Sequence, residues 1–336
     1  MSDTPTSKSI PLQVLSQAPA TLEPGRKQLG EDKIARSPVR FDADAPVLRK
    51  PSWIRVRLPS GNAVQSLKAK LRENRLVTVC EEASCPNIHE CFHRGAATFM
   101  ILGNLCTRGC GFCSVPKGSP AKKEFELDAA EPAHVADMAA QMNLRYVVIT
   151  SVNRDDLPDG GSHHWAETVR EVRKALPAAK IEVLTPDFCG DMDAVARVLD
   201  AGPDVYNHNM ETVSRLYRRV RPQADYRQSL DVLAFARRYQ PSTLTKSGLM
   251  AGLGETPAEV EQLLRDVRQS DVHVATIGQY LQPTRRNLAV AEYVTPEQFA
   301  AYQEFGMSIG FQMVFSGPFV RSSYMADLVN EQATSH

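Results

Sequence analysis

From Thr98 onward, short apolar runs alternate with amphipathic stretches of helical period. That alternation is the pattern of a parallel sheet wrapped by crossover helices. The apolar runs predict strands at Thr98 to Gly103, Tyr146 to Val152, Lys180 to Thr185, Val205 to Asn209, Thr245 to Gly252 and Val274 to Tyr280. Helices are predicted at Glu131 to Met142, His164 to Leu176, Met192 to Asp200, Tyr226 to Tyr239, Pro257 to Gln269 and Pro296 to Phe305, and Phe311 to Ser316 reads as a further strand. Six strand–helix units are two short of a full barrel, so the expected fold is α/β, a partial (β/α)6 TIM-type barrel open along one side. Polar residues gather just behind the predicted strands: Asn153, Arg154, Asp155 and Asp156, then Pro186 and Asp187, then Asn207, His208, Asn209 and Glu211. In barrels the C-terminal strand ends build the active site, so this distribution points to an enzyme.

Ahead of the barrel, residues 1–48 are rich in Ser, Thr, Pro and Ala without either period, and read as a mobile arm. Residues 49–97 form an N-terminal extension, with an extended segment at Lys50 to Val56 and a helix at Val64 to Glu73. The barrel is assigned to residues 98–310 and a C-terminal extension to residues 311–336. No repeat of solenoid period is visible.

Composition narrows the function. Of 336 residues, 43% are hydrophobic and 23% charged, which excludes collagen-like, coiled-coil and wholly disordered chains. No apolar run approaches the roughly 18 residues of a membrane helix, so no membrane partner is expected. Lys plus Arg and Asp plus Glu both total 39, without the cation excess a nucleic-acid partner demands. The N-terminus has neither an apolar signal core nor an acid-poor transit composition, and a cytoplasmic location is expected.

Six of the seven cysteines fall between Cys80 and Cys113. Clustered thiols in a reducing compartment more often bind metal than pair with each other. Cys106-Thr-Arg-Gly-Cys110-Gly-Phe-Cys113 follows the first barrel strand directly and brings three thiolates to one loop. Iron–sulfur clusters normally take four cysteines, so three leave one iron open to a non-protein ligand. A zinc knuckle is the alternative, but a structural zinc site wants four ligands. Upstream, Cys80, Cys85 and Cys91 form a C-x4-C-x5-C run, again three thiolates without a near fourth. A second cluster is the natural reading; a zinc site using His89 or His93, a disulfide, or simple packing are its alternatives.

The Cys106 to Cys113 run, with Phe112 before its last cysteine, resembles the signature of the radical S-adenosylmethionine superfamily. Within it the chain from about Arg49 to Asp327 resembles the lipoyl synthase family. The matching stretches are Val79 to Cys91, Thr150 to Gly161, Leu184 to Phe188, Asn207 to Val213, Arg219 to Pro222, Lys246 to Glu255, Gly278 to Thr284 and Arg321 to Tyr324. Asn153 stands where the family usually carries Asp, a departure expected to touch no predicted ligand; the spacer around Cys106 to Ser114 also varies. The resemblance implies radical insertion of two sulfurs at carbons six and eight of an octanoyl chain, held on a lysine of a lipoyl carrier protein. It implies two 4Fe-4S clusters and two S-adenosylmethionine molecules per product. One cluster, on Cys106, Cys110 and Cys113, would generate radicals; the auxiliary cluster, on Cys80, Cys85 and Cys91, would surrender the sulfurs. Ser323 would be its unusual fourth ligand, with Ser322 the fallback. A small electron-donor protein and an iron–sulfur cluster carrier are the further partners. The rivals are another radical sulfur-inserting enzyme such as a biotin synthase or methylthiolase, a two-cluster electron carrier, and a zinc-dependent interaction module.

Several single residues carry expectations. Gly252, Gly254 and Glu255 follow the fifth strand and resemble the family's glycine-rich cofactor contact. Asn209 and Glu211 would hydrogen-bond the cofactor or cap the next helix. Lys246 would pair with the cofactor carboxylate or be a strand-end charge. Arg215, Arg218, Arg219 and Arg221 read as a solvated face or a docking site for an acidic carrier. Cys189, His163 and His164 are assigned no chemistry.

Overall fold

The structure is a computed structural model that describes residues 48–54, 77–78, 94–118 and 126–323. Cys80, Cys85, Cys91, Tyr324 and the expected helix at Val64 to Glu73 lie outside the described residues. One sheet of eight strands runs in the order β1 to β8. These are β1 (Val77–Thr78), β2 (Ala96–Ile101), β3 (Tyr146–Ser151), β4 (Lys180–Leu184), β5 (Val205–Asn207), β6 (Leu244–Ala251), β7 (Val274–Gln279) and β8 (Met313–Gly317). β2 to β8 are all parallel, while β1 pairs antiparallel with β2 through Val77↔Met100. The helices are α1 (Glu131–Gln141), α2 (Ser162–Ala175), α3 (Met192–Asp200), α4 (Tyr217–Val220), α5 (Tyr226–Tyr239), α6 (Pro257–Gln269) and α7 (Pro296–Ser308). Every expected strand–helix unit is present, and the run at Phe311 to Ser316 becomes the seventh parallel strand.

Local chemistry starts the helices where they start. Asp191 accepts from the amides of Asp193 and Ala194 to cap α3, and Thr256 with Glu259 forms a capping box on α6. Pro257 and Pro296 occupy the first turn of α6 and α7, where a missing amide costs nothing. The outward residues Val147, Ile149, Ile181 and Val183 pack with Val135, Trp165 and Val195 of α1 to α3. A second cluster joins Leu249 and Ile277 to Leu263, Leu264 and Phe299 of α6 and α7. Strand alternation turns the intervening positions onto the concave face.

Two expectations are corrected here. Lys50 to Val56 is not extended over its described part: the Ile54 amide donates to the Pro51 carbonyl at 3.1 Å and closes a turn over residues 51–54. Lys246 is neither a strand-end charge nor free to meet a cofactor. It lies early in β6, fully buried, with Nζ 3.1 Å from both carboxylate oxygens of Glu182 on β4. Glu182 also accepts from Tyr146 Oη at 2.9 Å and Asn207 Nδ2 at 2.8 Å, so three side chains converge on one buried carboxylate inside the barrel.

Breaking this network on one side strands a charge. Lys246→Met is expected to destabilise the protein by about 3–5 kcal/mol, whereas Lys246→Met combined with Glu182→Leu recovers most of the loss, as read from anaerobic urea unfolding.

Candidate active site at the barrel mouth

The loop leaving β2 carries Cys106, Cys110 and Cys113 onto the C-terminal strand ends. Its backbone is tied on all sides. The Cys106 amide donates to the Pro116 carbonyl at 2.9 Å, and the Gly111 amide to Val220 at the end of α4, also at 2.9 Å. Asn287 Nδ2 donates to the Cys113 carbonyl at 2.9 Å, and Gln223 Oε1 accepts from the Gly109 amide at 2.9 Å.

The strongest tie comes from Arg108, inside the cysteine run. Its guanidinium forks onto Asp155 behind β3 at 2.7 and 3.0 Å, and onto Asp187 behind β4 at 2.9 and 2.6 Å. Arg108 and Asp187 are buried. Burial opposes the charge on each, yet the pairing wins: Arg108 stays charged and the Asp187 carboxyl falls to about 2. Cys189 joins this cluster, its sulfur 3.3 Å from Arg108 Nη2, at an exposed rim beside a cleft of about 320 Å³.

The three thiols are free cysteines on one loop. Burial pushes Cys110 up to about 11 and Cys113 up to about 12, and the neighbouring thiols add to both rises. Binding a metal or metal cluster would require these thiols to give up their protons. The donor set is soft, as iron–sulfur chemistry requires, and amides already point at the sulfurs. The amides of Arg108 and Asn153 donate to Cys106 Sγ at 3.4 and 3.3 Å, and that of Val115 to Cys113 Sγ at 3.4 Å. The Asn153 side chain reaches the same Cys106 sulfur at 3.7 Å. Asn153 therefore does touch a predicted ligand, contrary to expectation, because its carbonyl is held by Thr107 next in sequence. Among the described residues no three His, Cys, Asp or Glu side chains close on a single point.

Beyond the loop, the ends of β5 and β6 complete the mouth. Asn209 Nδ2 donates to Glu211 Oε1 at 3.0 Å and to Ser322 Oγ at 2.7 Å, while Asn209 Oδ1 is buried without a hydrogen-bond partner. Neither Asn209 nor Glu211 caps a helix, since the turn at Ser214–Leu216 begins at Val213 with no side-chain cap. Burial raises the Glu211 carboxyl, and Arg221 opposes the rise. Arg221 is not a solvated residue: it is buried and donates to the Asn209 carbonyl at 2.9 Å and Tyr217 Oη at 3.0 Å. Arg215, Arg218 and Arg219 are exposed, and Arg215 pairs with Glu259 at 2.6 Å. His208 is buried, its Nδ1 2.9 Å from the Thr185 carbonyl, and burial followed by Arg221 lowers it to about 4. His164 Nε2 contacts Glu131 Oε2 at 2.7 Å, and that same oxygen accepts from the Leu102 amide.

The glycine-rich turn after β6 is arranged differently from a simple cofactor contact. Gly252 has φ +100°, and a Cβ there would collide with Gln279 Nε2 and the Glu292 carbonyl. Its amide and that of Leu253 donate to the Glu255 carboxylate, so Glu255 turns back to hold the loop. Gly254, at φ +107°, has only Ala291 nearby and leaves room above it.

Residues 100–267 match the family described as the radical SAM superfamily, and residues 29–85 match the N-terminal domain of lipoyl synthase of the radical SAM family. The fold is shared with a methylornithine synthase (TM-score 0.50, 13% identity, 83% of this chain and 89% of that one). It is shared equally with the FeFe-hydrogenase maturase HydG from Carboxydothermus hydrogenoformans (TM-score 0.50, 13% identity, 81% and 77%). Fold and thiol loop thus define a radical S-adenosylmethionine enzyme, a class built on a 4Fe-4S cluster and that cofactor. Curated lipoyl synthases narrow the assignment: that of Xanthomonas campestris pv. campestris (strain 8004) is 58% identical over 96% of both chains. The one from Xanthomonas oryzae pv. oryzae (strain MAFF 311018) is 59% identical over the same shares, and that of Xylella fastidiosa (strain 9a5c) 57% over 96% of this chain and 87% of its own. The chain belongs to the lipoyl synthase family. Among the described residues no helix is long and apolar enough to cross a membrane.

Sequence reasoning missed Arg108 as a fork, Asp187 as its buried partner, and Asn287 and Gln223 as loop ties. The only available signal was an arginine inside a cysteine run facing acidic strand ends. Asp187 titrates below its ordinary 3.8, at about 2, so its contribution to stability is complete above 3.8 and disappears as pH falls through about 2. The urea-midpoint gap between wild-type and Asp187→Asn cluster-free protein should therefore be widest above pH 3.8 and close by about pH 2. Arg108→Lys keeps the charge but loses the double fork, and should lower iron and sulfide per chain after anaerobic isolation.

Proposed function

We propose that this chain inserts two sulfur atoms at carbons six and eight of an octanoyl chain carried on a lysine of a lipoyl carrier protein or domain. The observation that carries the reading is the meeting of two segments at one mouth: the loop of Cys106, Cys110 and Cys113, and the Arg321-Ser-Ser segment that ends beside Asn209. Cys106, Cys110 and Cys113 would hold the radical-generating cluster. When bound, that cluster supplies the electron that splits S-adenosylmethionine into methionine and a 5′-deoxyadenosyl radical able to abstract hydrogen from an unactivated carbon. Cys80, Cys85, Cys91 and Ser323 would hold the auxiliary cluster, the sulfur source.

The chain's own residues orient and isolate these reactants. Asn209 and Glu211 offer a carbonyl oxygen and a carboxylate to the cofactor's polar groups, and the buried Asn209 Oδ1 still lacks a partner. Gly252 and Gly254 keep the β6 turn thin, with Glu255 fixing its shape. Arg108 holds the thiol loop against β3 and β4, so the reacting centre stays at the mouth. A hydroxyl is a harder ligand than thiolate, so an iron held by Ser323 would be released more readily when a bridging sulfide is attacked. The division into an arm (1–48), an auxiliary-cluster extension (49–97), a barrel (98–310) and a C-terminal extension (311–336) follows from this reading. So do a cytoplasmic setting, an electron-donor protein and a cluster carrier.

Anaerobic reconstitution with an octanoylated carrier, S-adenosylmethionine and reductant is the test. About eight irons per chain are expected, as for two cubanes with one open or serine-bound iron each. Cys80→Ala, Cys85→Ala, Cys91→Ala and Ser323→Ala should still release 5′-deoxyadenosine while losing lipoyl product. Zinc without sulfide, or product formation undiminished in Ser323→Ala, would overturn the reading.

A further inference from the structure

The two serines of Arg321-Ser322-Ser323 are in different chemical states. Ser322 Oγ accepts a 2.7 Å hydrogen bond from Asn209 Nδ2, whereas the Ser323 hydroxyl makes none among the described residues. This difference follows from how the segment reaches the mouth. After β8 the chain turns, the Val320 amide donating to the Gly317 carbonyl at 3.1 Å, and the buried Val320 settles over β7. It can do so only because position 278 is glycine: a Cβ there would run into the Val320 carbonyl. Arg321 Nη1 then donates to the Gln279 carbonyl at 3.4 Å, pinning the strap to the end of the same strand. A second glycine clears the far end. A Cβ at Gly248 on β6 would come within 2.8 Å of Asn209 Oδ1 and 2.6 Å of Thr276 Oγ1, so this glycine makes the space in which Asn209 lies. The strap therefore crosses from β8 past β7 and β6 and is fastened to the residue behind β5.

Asn209 is itself held rigidly. Arg221 grips its carbonyl, and its amide group bridges Glu211 and Ser322. A hydroxyl oxygen that accepts from a fixed amide donor is held at that donor, so Ser322 Oγ stays beside Asn209. Among the described residues the Ser323 hydroxyl makes no such bond.

We infer that Ser322 is a positioning residue: its hydrogen bond to Asn209 latches the C-terminal strap to the cofactor side of the mouth and so presents Ser323, not Ser322, to the auxiliary cluster. The inference rests on the function proposed above. It adds that the residue facing S-adenosylmethionine and the ligand motif of the sulfur donor are one hydrogen-bonded unit, so that radical formation and sulfur delivery are held in register.

The test compares wild type with Ser322→Ala, Ser322→Thr, Asn209→Ala and the Asn209→Ala/Ser322→Ala pair as cluster-loaded proteins. Two quantities are read: amide hydrogen exchange over residues 313–323, and 5′-deoxyadenosine released per lipoyl group formed. Ser322→Ala should speed exchange of the strap by about fivefold, the effect of one lost neutral hydrogen bond. It should also raise deoxyadenosine released per product. Ser322→Thr, which keeps the acceptor oxygen, should return both toward wild type. The double variant should exchange no faster than Asn209→Ala alone, because both changes remove one contact. Unaltered exchange and coupling in Ser322→Ala, or additive effects in the pair, would overturn the latch. So would loss of the auxiliary cluster's distinctive iron in the Mössbauer spectrum of Ser322→Ala but not Ser323→Ala. Failure of wild type itself to form lipoyl product would remove the proposed function alone, since the exchange comparison still decides whether the contact exists.

Discussion

The arrangement at the barrel mouth depends on one buried guanidinium. Arg108 belongs to the thiol loop by sequence and to the barrel by contact, and its two forks fix that loop to the ends of β3 and β4 at once. A buried arginine with a single carboxylate would satisfy part of its five donors; with two it satisfies four, and the desolvation cost of all three charges is offset locally. Of the three side chains only Asp155 reaches solvent, while Arg108 and Asp187 are buried. The loop has no regular secondary structure and would otherwise sample many conformations. The forks remove that freedom before any metal arrives, which is what a cluster site assembled from a loop requires.

A second constraint comes from the barrel interior. Parallel strands deliver their loops to one end, but they also turn every second side chain onto the concave face. Here that face is not simply apolar. Tyr146, Glu182, Asn207 and Lys246 close a hydrogen-bonded plug beneath the mouth, flanked by Val148, Val205, Val274 and Met313. The plug ties β3, β4, β5 and β6 together just below the residues that Asn209, Asp187 and Asp155 occupy. Strand spacing at the mouth is thereby set from inside as well as by the helices outside.

How much of this was legible followed the range of the interactions. Strand and helix periods are local, so β2 to β8 and the long helices could be read directly, including the strand at Met313–Gly317. β1 could not, because two residues pairing antiparallel with β2 leave no period. That three sulfurs share the loop behind β2 was readable because residue type and spacing are both sequence properties. Lys246 was misjudged because its partner lies 64 residues away on another strand, and nothing in its neighbours Thr245 and Ser247 distinguishes an interior lysine from a terminal one. The pairing of Asp187 with Arg108 and the role of Asn287 escaped for the same reason: they exist only after the strand ends have been brought together. Glu255 shows the opposite failure, a residue correctly placed at the mouth whose carboxylate the fold spends on its own backbone.

Asn153 shows how a small departure acquires chemical meaning from that assembly. Its carbonyl accepts from both the amide and the hydroxyl of Thr107, which fixes the residue beside Cys106. Its backbone amide and its side-chain amide then both address the same sulfur. A carboxylate in this place would present an acceptor to an acceptor, and as an anion it would oppose the charge of the thiolate. The carboxamide presents a donor of the same size. Hydrogen bonds to cluster sulfurs and nearby charge are among the factors that set cluster potential. Were a cluster held on Cys106, these two donors would bear on how readily it is reduced, while the position of Cys106 in the loop is set by Thr107, Pro116 and the Arg108 forks.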